Sequence, residues 1–164
     1  AAPPPAAPAP APAAPAPAPA APEPPRAMPD AVSGPGATDP HQLGAAVNRL
    51  SGSTRKASAA AFAVAAVSLA DGEIVQMAIG CRFLGADGAV LLTDRQMMIV
   101  NDRSWEPDVV PVALEAGLTV QGWQDDRWAA LVFARDGHEL VVDRIGDRAI
   151  AQELAAEVRR RSEG

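Results

Sequence analysis

The stretch Gly88-Ala-Val-Leu-Leu-Thr-Asp-Arg-Gln-Met-Met-Ile-Val100 decides the fold. Two apolar runs, residues 90–92 and 97–100, flank a polar break, Thr93-Asp94-Arg95-Gln96. Short, partly β-branched runs around a polar break read as strand, tight loop, strand. The second run is apolar at every position rather than at alternate ones. A strand of that kind is covered on both faces. The sheet therefore closes over its own core on one side and meets a helix or a partner on the other.

The segments on either side keep the strand period. Before the hairpin, Met77, Ile79, Cys81 and Phe83 alternate, with Gly80 at a bend or bulge and residues 85–88 as a turn. After it, residues 101–104 form a loop and Pro107 opens an irregular link. Residues 108–114 form a strand that Pro111 places at an edge or start. Residues 117–124 alternate Leu118 and Val120 against Thr119 and Gln121, and residues 127–135 are strongly apolar. Asp136-Gly137 is a favoured hairpin turn into a last strand, residues 139–143.

Helices bracket these strands. Asp39 caps a first helix with Pro40 at its opening position and Leu43, Val47 and Leu50 on one face; Ser51-Gly52-Ser53 interrupts it. A second, Ala-rich helix covers residues 55–69, with Phe62, Ala66 and Ala59 on one face and Val64 and Val67 beside it. It is expected to cover the two-sided strand 97–100. A final helix, capped by Asp147, carries the stripe Ile150, Ala151, Leu154, Ala155, Val158. Glu157 pairs with Arg161 at i,i+4, and Arg159, Arg160 and Arg161 suit the negative end of the helix dipole.

Composition sets the wider limits. Of 17 prolines, 15 precede His41, so residues 1–40 read as a disordered Ala/Pro linker. Residues 41–70 are a helical extension, and residues 71–164 hold the sheet and last helix. The net charge of -6 argues against nucleic acid as a partner. Cys81 is the only cysteine, so there is no disulfide framework and no cysteine zinc set. The chain starts with Ala and without signal-peptide features, so a processed chain or fragment is expected, with a cytoplasmic location. Its longest apolar stretch, residues 57–70, falls short of the roughly 20 residues of a membrane span.

About seven strands followed by one amphipathic helix is the element order of a pleckstrin-homology-like (PH-like) barrel. Leu69-Ala-Asp-Gly-Glu73, the Gly88-x-x-x-Leu92-Thr93-Asp94-Arg95 hairpin and the closing helix resemble the bacterial PH-like domain family over residues 69–161. The resemblance implies an α+β fold: a seven-stranded antiparallel β-barrel plugged at one end by a C-terminal capping helix. One or two Ala-rich helices and the Ala/Pro tail precede it here. It also implies non-enzymatic work in protein interaction or scaffolding, and some members form homo-oligomeric rings. Lipid-binding PH domains carry bases in the first hairpin loop, whereas residues 84–88 hold one acid and no base, so an inositol-phosphate lipid is not expected.

No catalytic set, cofactor loop or metal-ligand cluster stands out. Thr93-Asp94-Arg95 groups a hydroxyl, a carboxylate and a guanidinium, but Asp and Thr in such a break bond turn amides. Cys81 shares the phase of Ile79 and Phe83 and reads as a buried small hydrophobe. His41 and His138 read as surface residues, and Asp125, Asp126 and Asp136 as solvated turns. Trp105, in a loop, and Trp123, on the polar phase of its strand, are candidate partner anchors, with packing on the preceding helices as the competing use. Arg159, Arg160 and Arg161 could meet an acidic partner or, weakly, a membrane surface. The expectation is a non-catalytic protein-interaction or scaffolding module without cofactor. Its partner is unidentified, and homo-oligomerisation is the main alternative.

Overall fold

The hairpin forms as its pattern predicts, and the rest of the sheet grows from it. The computed structural model describes residues 38–164, which form one compact unit. The linker expected over residues 1–40 lies, up to residue 37, outside the described residues. Strands β1 (Val75–Phe83), β2 (Ala86–Thr93), β3 (Met97–Asn101), β4 (Val109–Val112), β5 (Thr119–Gln124), β6 (Ala129–Arg135) and β7 (His138–Ile145) build one antiparallel sheet. The order is β4-β3-β2-β1-β7-β6-β5. Helices α1 (Leu43–Asn48), α2 (Gly52–Ala57) and α3 (Ala59–Ser68) precede the sheet, and α4 (Arg148–Ser162) follows it.

The sheet is open rather than a closed barrel. Its outer strands β4 and β5 do not pair. β4 has only four residues, and Pro111 lacks the N–H a further ladder needs. The sheet is nonetheless strongly curled, because Val112 from one edge and Val120 from the other share a single core. Into that concave side α4 inserts Ala151, Leu154, Ala155 and Val158, all buried, against Ile79, Phe83, Leu92, Ile99 and Phe133. This is the apolar stripe read from the sequence.

The convex side carries a second core. Leu91, Met98 and Val100 point outward from β2 and β3 and are covered by Ala61, Phe62 and Ala65 of α3, with Ala46 and Leu50 from the first helical segment. The uniformly apolar strand is thus covered on both faces, with the Ala-rich helix on the outer one. Burying Phe62 there stabilises the fold by about 2 kcal/mol.

Three details depart from the sequence pattern. The Ala-rich helix is two helices, broken at Ser58, and its inner face is Ser58, Ala61, Phe62 and Ala65, whereas Ala59, Ala66 and Val67 face outward. Gly80 is not a bulge. An added Cβ there would lie 2.4 Å from Thr54 Cγ2 and 2.5 Å from Ser58 Oγ, so its missing side chain lets α2 lie on β1. The first hairpin turns at Leu84-Gly85, both at positive φ, and β2 resumes at Ala86.

Two caps also differ. Pro40 lies before α1, although the Asp39 carboxylate does accept the N–H of Ala45 at 3.3 Å. Asp147 does not cap α4 through its side chain. Its carboxylate accepts the N–H and hydroxyl of Ser51 at 3.0 and 3.3 Å, tying α2 to the start of α4. Asp136-Gly137 forms the expected hairpin turn, with both residues at positive φ.

Candidate functional site

The edge strand β5 and the helix α4 frame a groove of about 220 Å3, and its geometry follows from strand register. β5 pairs with β6 as Thr119↔Ala134, Gln121↔Val132 and Trp123↔Ala130, and the N–H of Asp125 bonds Trp128 O at 2.9 Å. In an antiparallel ladder, hydrogen-bonded pairs alternate. Residues 119, 121, 123 and 125 therefore direct their backbone groups to β6. Val120, Gly122 and Gln124 direct theirs away from the sheet. Arg159 Nε of α4 donates to Val120 O at 3.1 Å, as that phase requires. The outward N–H and C=O of Gly122 and Gln124 remain without a strand partner, because β5 ends the sheet.

The groove walls are apolar and small. Gly122, Ala129, Ala130 and Leu131 line the sheet side, and Ala151 and Ala155 the helix side. Trp123 stands at the rim with 58% of its surface exposed. Gln152 Nε2 donates to Gln124 Oε1 at 3.1 Å and closes one end. Trp123 and Arg159, two residues singled out from sequence, thus meet in one place.

The other candidates go elsewhere. Trp105 is 95% exposed in the β3–β4 loop, beside Arg103, Glu106 and Asp108, and does not line the groove. Buried Asn101 fixes the base of that loop, donating to Asp108 Oδ2 at 2.6 Å and accepting the N–H of Asp108 at 2.8 Å. Neither indole packs on the N-terminal helices. Arg160 pairs with Glu157. Arg161 donates to Glu157 at 2.8 Å, to Thr93 O at 2.6 Å and to Gln76 Oε1. The three arginines are thus committed to different contacts within the chain.

The residues with a catalytic look are structural supports. Thr93 Oγ1 accepts the N–H groups of Arg95 and Gln96 at 3.1 and 3.0 Å, and Asp94 Oδ1 accepts that of Ile74 at 2.9 Å. Burial pushes the Cys81 thiol far up, which keeps it a thiol. His41 donates from Nδ1 to Glu73 O at 2.8 Å and straps the start of β1. His138 is exposed at the start of β7. Asp125 Oδ1 accepts the N–H groups of Trp128 and Arg127, both at 2.7 Å, and these bonds lower its carboxyl. No cluster of metal-ligating side chains occurs among the described residues. No helix among them is long and apolar enough to cross a membrane.

No protein-family model matches this chain, and no curated protein matches it in sequence. That the free edge belongs to β5 was not legible in the sequence, because a backbone edge has no side-chain signature.

Proposed function

We propose that this chain is a non-catalytic protein-interaction module of the PH-like kind. It takes an extended segment of a partner protein along β5, in the groove beside α4. The observation that carries this reading is the unpaired edge of β5, with outward backbone groups at Gly122 and Gln124 next to an apolar groove and an exposed indole. An added strand satisfies such an edge, and alternate side chains of the incoming segment enter the groove. Trp123 supplies the anchor, since Trp is enriched at binding hot spots. The curled seven-stranded sheet filled by a C-terminal helix also fits what the resemblance to the PH-like family implies.

Panning a peptide-display library against the full chain tests the reading. The expected hits bind as extended segments and slow amide exchange at Gly122 and Gln124. Trp123→Ala weakens them at least about tenfold. Gln124→Pro removes an outward N–H without breaking a bond to β6 and weakens them as well. Trp105→Ala leaves them unchanged. Hits unaffected by both groove variants refute the site. Light scattering that shows a dimer lost in Gln124→Pro assigns the edge to a second copy instead.

A further inference from the structure

A second cavity, of about 520 Å3, lies where β1 and β7 part company. The two strands pair only at Arg82↔Asp143 and Phe83↔Val142. Beyond Asp143 β7 parts from β1 but stays paired with β6 through Ile145, and Arg144, at φ 50, forms a bulge in that ladder. Helix α2 roofs the gap, with Thr54 and Ser58 against Gly80. None of the residues lining this cavity lines the β5 groove.

Three arginines from separate segments line it: Arg82 of β1, Arg127 of the β5–β6 turn and Arg144 near the end of β7. Among the described residues none of the three has a carboxylate within ion-pair distance, which is also true of Arg55, Arg95, Arg148 and Arg159. Arg82 donates only to Gly85 O. Two acids also line the cavity. Asp147 accepts from Ser51 and keeps its charge, and Asp87 is the cross-strand partner of Arg82, so the lining holds three cations against two carboxylates. Asp143, across from Arg82 in the ladder, is not part of the lining. Ser53 and Thr54 add hydroxyls, and the half-exposed Trp128 adds a flat wall.

Arg144 is the telling residue. It joins the lining from a bulge in the β6–β7 ladder, at a left-handed backbone where Gly or Asn is less strained. We propose that this cavity binds a phosphate monoester carried on a flat or apolar body. A phosphoryl group has three terminal oxygens and up to two negative charges, which match several guanidinium forks, whereas one carboxylate is satisfied by a single bidentate arginine. The indole wall of Trp128 takes the body of the ligand. The source is a phosphorylated side chain or a small phosphorylated molecule.

Calorimetric titration of the full chain at low salt decides it, with phenyl phosphate, benzoate, phenol and a phosphotyrosine peptide as probes. Phenyl phosphate is expected to bind, benzoate at least about tenfold more weakly and phenol not at all. The Arg127→Gln, Arg144→Gln double variant lowers phenyl phosphate affinity at least about tenfold. Arg144→Gly separates binding from folding: it relieves the backbone, so its unfolding midpoint holds or rises while affinity falls. Tighter binding of the peptide than of phenyl phosphate marks a phosphorylated protein as the source, and the reverse order marks a small molecule. Failure of every phosphorylated probe to bind, or equal binding by parent and double variant, overturns the proposal.

Discussion

Thr93 Oγ1 donates to Glu73 Oε1 at 2.6 Å, and both residues are fully buried. The same carboxylate accepts Gln96 Nε2 at 3.1 Å and the N–H of Ala70 at 3.0 Å. Through this one side chain the entry to β1 is fastened to the β2–β3 turn, the break in the hairpin that organises the chain. Arg161 donates to Thr93 O and extends the fastening to the end of α4. Thr93 and Asp94 thus brace the turn against the entry to β1.

Glu73→Gln should destabilise the protein by about 2–4 kcal/mol, because an amide places two donors where the site already supplies donors, and buried donors are left unpaired. Urea unfolding checks the size. Thr93→Val should cost a similar amount, and the double variant less than the sum, as members of one network are not additive.

The same network sets an acid dependence. Burial alone would raise the Glu73 carboxyl, but hydrogen bonds from Thr93, Ala70 and Gln96, with the charge of Arg95, hold it below the ordinary glutamate range. Arg160 and Arg161 hold Glu157 down at about 2. Both groups take up a proton more readily in the unfolded chain. Their contribution is present above the ordinary value of about 4.3 and is lost as pH falls below it. The urea midpoint should stay level near neutrality and drop below that value. The drop should be shallower in Glu73→Gln. Glu157 is solvent-accessible, so its share should shrink with added salt.

Gly80→Ala tests the seat of α2. The new methyl would lie far inside van der Waals distance of Thr54 and Ser58, so α2 must lift. Expected is a loss of about 1–3 kcal/mol by thermal or urea unfolding. Faster amide exchange over α2, with β3 unchanged, would place the damage. Thr54→Ser combined with Ser58→Ala should recover part of the loss, since it removes the two atoms nearest the new methyl.

The sequence carried the architecture wherever a pattern has a period. Residues 97–100 announced two-sided burial, and Leu154 and Val158 announced the face of α4. Phe62 announced part of the face of α3, but its alanines did not, because Ala59, Ala66 and Ala61 look alike to a hydrophobic pattern and the phase is set by Ser58 on Gly80. The burial of Glu73 was not legible either, since it depends on donors that lie 20 and 23 residues away. Of the candidate site, Trp123 was legible as an aromatic on a polar phase. The free edge of β5 and the pocket shared by Arg82, Arg127 and Arg144 were not, as both come from strand order.

Leu84 offers a change in the opposite direction. It occupies the first position of the β1–β2 turn at φ 52, followed by Gly85 at φ 81, and it is 56% exposed. Both central residues of such a turn need positive φ, which costs a leucine roughly 1–2 kcal/mol and an asparagine less. Its side chain contributes little packing, and the Arg103 guanidinium reaches its backbone carbonyl at 2.8 Å, a bond that survives substitution. Leu84→Asn should therefore raise stability by about 0.5–1 kcal/mol, read as a higher unfolding midpoint at unchanged urea slope. Leu84→Val should lower it, because a β-branched side chain is less tolerated in the left-handed region. If Asn fails to stabilise while Val destabilises, the leucine side chain contributes packing in the folded chain that offsets the strain of its backbone.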